Sequence, residues 1–181
     1  AGLFGQYEPD AFEYLKSLNP AQIPLSTNCR NTKNILEKVQ NTLGADMGVN
    51  GIGEGPRIRE HLVSSERETA ETLANEVFEF INRGGLSPAK VTILSPCKFE
   101  ESSVVYLPEK LLRKIMVLDE YSMGSFPPSQ SSFATISDFK GLENEAIIVV
   151  DLPRLNVKNG NFVPYYVAMS RARSVLSIIY K

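Results

Sequence analysis

Apolar positions recur along this chain with two periods, one near 3.6 residues and one of short continuous runs. The clearest helical period lies between residues 65 and 83. Ala70, Leu73, Ala74, Val77, Phe78 and Ile81 fall on one face of a helix, and Ser65 with Glu68 forms a capping-box pattern ahead of it. Arg83-Gly84-Gly85 closes the helix, as glycine does. The same period predicts a helix over 32–43, with Ile35, Leu36, Val39 and Leu43 inward and Asn31 or Thr32 as its cap. A short helix follows Pro9 over 10–18, with Phe12, Leu15 and Tyr14 facing inward, and further helices are predicted over 108–113 and 162–173.

Between the helices stand strand-like runs at 22–26, 57–63, 91–94, 115–118, 133–136, 146–152 and 175–180. The run 146–152 is apolar throughout, as in a strand covered on both faces. Strands alternating with helices predict an α/β fold, a parallel sheet layered between helices. Two stretches read as exposed loops: 44–56, with five glycines, and 120–132, rich in Ser, Pro and Gly. The 181 residues fit one domain, 1–181.

Composition narrows the functional classes. A net charge of −2 and a pI near 5.6 exclude a generally basic, nucleic-acid-coating surface, so any such contact is local. Cys29 and Cys97 are too few for a disulfide scaffold and lack metal-site spacing; His61 has no ligating neighbour in sequence. No metal site is expected. No apolar run approaches the ~18 residues of a membrane span, and no signal peptide is visible, which makes a cytoplasmic location the expectation. The chain begins without Met and ends just past an apolar run, the pattern of a domain taken from a longer protein.

Three segments carry candidate chemistry, placed beside strand ends where α/β sheets bind ligands, by rule at the carboxyl ends. The first, 25–32, puts Arg30 at a strand-to-helix junction, able to meet an anion. The second, 135–143, sets Gly141 between Lys140 and Glu143, either a tight turn with a solvated ion pair or a ligand loop. The third, 165–173, is an amphipathic helix with Tyr166, Val167 and Met169 inward; solvent-facing arginines would be its plainest reading, yet Arg171 and Arg173 stand just ahead of a buried strand. No phosphate-binding Gly-x-x-x-x-Gly-Lys-Ser/Thr loop is present, and the run Gly51-Ile52-Gly53-Glu54-Gly55 precedes a strand, so it reads as a flexible loop.

In this order, Asn28-Cys29-Arg30-Asn31, Thr135-Ile136-Ser137-Asp138-Phe139-Lys140-Gly141-Leu142-Glu143 and Tyr166-Val167-Ala168-Met169-Ser170-Arg171-Ala172 resemble helicase motifs IV, V and VI of the superfamily 1 UvrD/Rep/PcrA group. Leu3-Phe4-Gly5 also resembles residues just after motif III. The resemblance implies the second RecA-like domain of an ATP-dependent DNA helicase, a P-loop NTPase-type fold without its own phosphate loop. About 100 residues separate motifs IV and V, which implies a compact type without the large inserted domain.

Such a domain partners an N-terminal RecA-like domain that holds most of the ATP and Mg2+, so the fragment alone is expected to be inactive and to hold neither. By resemblance Arg30 and Arg171 are the catalytic arginines that reach the γ-phosphate. Glu143 is the ribose contact, with Gly141 and Lys140 in the ATP-binding loop, while Thr135 and Ser137 lie near a track for single-stranded DNA or RNA. Two residues depart from the pattern: Cys29 stands where the family carries an aromatic residue that stacks on adenine, and Ser137 where it carries histidine. These departures motivate a second expectation, a degenerate RecA-like module that binds nucleic acid or protein without catalysis. An unrelated flavodoxin-like or Rossmann-like domain is disfavoured by the missing glycine fingerprint.

Overall fold

A computed structural model describes residues 9–19, 28–45, 48, 51–155 and 161–181. Its centre is a six-stranded sheet in which every pairing is parallel, in the order β1-β6-β5-β2-β4-β3. The strands are β1 (Arg59–Leu62), β2 (Val91–Ser95), β3 (Ile115–Val117), β4 (Ser131–Thr135), β5 (Asn144–Leu152) and β6 (Ala172–Tyr180). The helices are α1 (Pro9–Ser17), α2 (Lys33–Leu43), α3 (Glu66–Phe78), α4 (Glu109–Leu112), α5 (Glu120–Met123) and α6 (Val163–Ser170).

Strand β5 shows why the sheet is layered. Ile147 and Val149 point to one face, where they meet Ile35 and Val39 of α2 and Ala168 and Met169 of α6. Ala146, Ile148 and Val150 point to the other, against Ala70 and Leu73 of α3. All five are fully buried, as the continuous apolar run requires of a strand covered on both sides.

Helix α3 begins at Ser65, whose Oγ accepts from Glu68 N at 3.2 Å. The reciprocal arm of the box goes one residue further back: Glu68 Oε2 accepts from Ser64 N and Ser64 Oγ, both at 2.8 Å. The helix continues as a π-helical turn over Glu79–Arg83, and Phe78 ends up half exposed.

Several sequence expectations are corrected. Tyr14 and Leu15 of α1 face solvent, at 66% and 56% exposure. The stretch 120–132 carries helix α5 and the first two residues of β4; Ser131 and Ser132 are buried in the strand because Ser131 Oγ donates to Pro88 O and Ser132 Oγ pairs with Thr92 Oγ1 at 2.8 Å. Helix α6 stops at Ser170, and Ala172, Arg173 and Ser174 already belong to β6. In α6 the fully packed aromatic is Tyr165, whose hydroxyl donates to Pro153 O at 2.6 Å, while Tyr166 and Val167 are half-buried. The extended run at 22–26 and the match at Leu3-Phe4-Gly5 lie outside the described residues.

The glycine run 51–55 is docked rather than free. Gly53 and Glu54 carbonyls accept from Lys33 N (2.9 Å) and Asn34 N (3.1 Å), the first donors of α2. Neither Thr32 nor Asn31 caps that helix with its side chain. The contact is close: a Cβ on Gly51 would lie 2.5 Å from Lys33 N, and one on Gly55 2.4 Å from Thr32 Cβ.

Candidate nucleotide-binding cleft

The three segments singled out in the sequence meet at the amino-terminal ends of β5 and β6, not at the carboxyl ends where such sheets usually bind. There a cleft of about 480 Å3 is lined by Asn28, Cys29, Arg30, Asn31, Glu143, Tyr166, Ser170, Arg171 and Arg173. Three arginines face one carboxylate, a local positive field on a chain of net charge −2.

Glu143 is the hub of the charges. Its Oε2 lies 2.5 Å from Arg30 Nε and its Oε1 3.9 Å from Arg173 Nε. Gly141, at φ +94°, turns the chain so that Glu143 precedes β5 on the cleft side; the space around it is open, so glycine serves the backbone angle here and not a close approach. Arg30 is half exposed, and the segment carrying it is folded by Asn28, whose Oδ1 accepts from Arg30 N (2.8 Å) and Asn31 N (2.9 Å).

Arg171 is held differently. It terminates α6, and its guanidinium reaches back to that helix's free carbonyl end, with Nε donating to Val167 O at 3.2 Å. Nη1 donates to Leu142 O at 3.4 Å and Nη2 to Ser170 Oγ at 3.1 Å. Burial, and after it the nearby Arg30 charge, lowers the Arg171 pKa from the usual arginine value. Of the five N–H donors of a guanidinium, three are engaged among the described residues.

The remaining predicted residues lie elsewhere. Thr135 sits at the carboxyl end of β4, and its Oγ1 is 2.8 Å from Ser137 Oγ. Ser137 and Lys140 line a second, smaller pocket with Pro96, Ile136, Val163, Pro164 and Val167. Lys140 is therefore not among the residues lining the arginine cleft. Arg173, Asn28, Asn31, Tyr166 and Ser170 were not selected as site residues from the sequence. Arg173 carries a signal of its own, a second arginine ahead of a buried strand. Asn31 reads from the sequence as a candidate helix cap, and Asn28 as a member of the segment that resembles motif IV. His61 lies 3.1 Å from the buried Glu76 carboxylate, and no group of three or more potential metal ligands is found among the described residues.

No protein-family model matches the sequence, and no curated protein matches it. Among solved structures, the C-terminal domain of a possible DNA helicase from Lactobacillus plantarum WCFS1 is similar. The two superpose with a TM-score of 0.60 at 15% identity, over 85% of this chain and 88% of the other. The likeness is one of fold, and the fold it carries is the α/β parallel sheet between helices expected of a RecA-like helicase C-terminal domain. No helix among the described residues is long and apolar enough to cross a membrane.

Proposed function

We propose that this chain is the second motor domain of an ATP-driven DNA helicase or translocase of the compact, UvrD-like superfamily 1 type. One observation carries the reading: three segments far apart in sequence, in the order of motifs IV, V and VI, bring Arg30, Glu143 and Arg171 into one cleft. The fold similarity to a possible helicase domain supports it.

In this reading a preceding RecA-like domain holds ATP by its phosphates, and closure of the two domains presents the triphosphate to the cleft. Arg171 is pinned at three of its donors and meets the phosphate with the rest, so little reorganisation is needed when charge develops there. Arg30, half exposed at the cleft, exchanges Glu143 for phosphate oxygens. Arginine suits both tasks because its planar fork stays charged and pairs with two oxygens at once. The carboxylate then released is free to accept from a ribose hydroxyl. Magnesium, when bound, would neutralise phosphate charge, but the donor set here does not fit it: among the described residues Glu143 is the single carboxylate lining the cleft, and two arginines engage it.

Thr135 and Ser137 are at the opposite end of β4 from the cleft, which suits contact with a single-stranded backbone there. Lys140 beside Ser137 joins that surface in our reading, rather than the ATP loop.

The test is Arg171→Ala in the full-length protein, with nucleic-acid-stimulated ATP hydrolysis as the readout. Turnover is expected to fall about 10³–10⁵-fold, as for other trans-acting arginines. Unchanged turnover would sink the assignment. A binding module without catalysis is the second reading, favoured by one observation: Arg30 is already satisfied by Glu143 within the domain.

A further inference from the structure

Asn31 directly follows Arg30 in the chain, and it touches the backbone on both sides of Arg171. It is fully buried at the wall of the cleft. Its Nδ2 donates to Ser170 O (3.1 Å) and to Ala172 O (2.6 Å), the two carbonyls flanking Arg171. Its Oδ1 accepts from Asn28 Nδ2 at 3.1 Å, and its own N donates to Asn28 Oδ1 at 2.9 Å. Its carbonyl accepts from Ile52 N at 2.9 Å, which brings in the docked glycine run. One residue on, Thr32 N donates to Arg173 O at 3.0 Å.

We propose that Asn31 is the positioning residue that fixes Arg30 and Arg171 relative to one another, so that two segments 140 residues apart act as one phosphate-facing unit. The inference rests on the motor reading above. The physical reason for asparagine is the pair of amide N–H groups. Two carbonyls at a helix-to-strand junction need two donors from one point; a carboxylate of the same shape offers none, and a hydroxyl offers one. Leaving Ser170 O and Ala172 O without a partner would let the junction relax, and Arg171 with it. A shift of about 1 Å in a positioned group costs on the order of 100-fold in rate.

The experiment is a double-mutant cycle in the full-length protein, following kcat and KM for ATP in Asn31→Ala, Arg171→Ala and the pair, with Asn31→Ser as a graded variant. Asn31→Ala is expected to lower kcat about 10–100-fold with little change in KM, and to add nothing in the Arg171→Ala background. Asn31→Ser, with one donor restored, falls between Asn31→Ala and the parent. Additive losses in the cycle, or full turnover in Asn31→Ala while Arg171→Ala is inactive, overturn the role of Asn31 alone. Full turnover in Arg171→Ala overturns the motor reading and this inference together. Should Asn31→Ala fail to fold, the decision passes to Asn31→Ser followed by the 15N side-chain signals of Arg30 and Arg171. Movement of both supports the coupling, and movement of neither refutes it.

Discussion

Neutralising Glu143 tests whether the carboxylate restrains Arg30. In Glu143→Gln the side chain keeps its shape and loses the charge that faces Arg30 at 2.5 Å and Arg173 at 3.9 Å. Arg30 is 52% and Glu143 34% exposed, so water screens the pair heavily. Two unit charges about 4 Å apart attract by about 1 kcal/mol in water, and exposed pairs measure ~0.2–1 kcal/mol. That energy opposes any phosphate competing for Arg30. Its removal should tighten binding of inorganic tripolyphosphate to the full-length protein roughly 1.5- to 5-fold at low ionic strength, since about 1.4 kcal/mol is tenfold. The gain should shrink as salt shortens the Debye length below about 10 Å. Calorimetric titration with tripolyphosphate and with ATP, side by side, separates two roles. If Glu143 also holds a ribose hydroxyl, ATP gains less than tripolyphosphate, because a hydrogen bond to a charged group is worth about 1.5–3 kcal/mol. Unchanged or weaker tripolyphosphate binding in Glu143→Gln would refute the competition argument.

Two further outcomes are expected away from the cleft. Asp151, at φ +61°, takes donors from Ser95 Oγ (2.9 Å), Ser102 Oγ (2.7 Å), Ser103 N (3.1 Å) and Ser103 Oγ. Asp151→Ala strands those buried groups and keeps a strained angle, so it should cost about 3 kcal/mol or more and lower Tm by roughly 6–12 °C; a loss under about 1 kcal/mol in denaturant titration would contradict this. Burial first, and then the Asp151 charge, push the Cys97 thiol up. Its thiolate fraction is therefore small at neutral pH and grows only as pH rises toward the raised value, so iodoacetamide should label exposed Cys29 well before Cys97, read by peptide mass spectrometry. Equal rates would show that the Cys97 environment does not hold the proton.

What the sequence disclosed followed the strength of each local signal. Helix α3 and strand β5 were legible because their apolar periods are long and uninterrupted. The starts of β4 and β6 were not, since Ser131, Ser132 and Ser174 look like loop residues, and Arg173 like the end of a helix, until their partners are known. Ser132 finds Thr92 across the sheet, and Ser174 Oγ finds Glu145. Arg30, Glu143 and Arg171 were readable as a set from their motif order, but their placement was misjudged. The carboxyl-end rule does not apply where Glu143 and Arg171 each precede a strand. Asn31 was out of reach because its partners, Ser170 and Ala172, are backbone carbonyls, which leave no mark in a sequence.

The docked glycine run also bears on how an anion could be held by this domain. Backbone N–H groups at the start of a helix are a standing invitation to phosphate, fixed in place and always on offer. Here the carbonyls of Gly53 and Glu54 occupy the first such donors of α2. Under the motor reading proposed above, the hold on an anion would thus fall to side chains such as Arg30, which in the free domain pairs with Glu143. A clasp made of side chains, and not of fixed helix donors, would suit the release step of the proposed motor cycle.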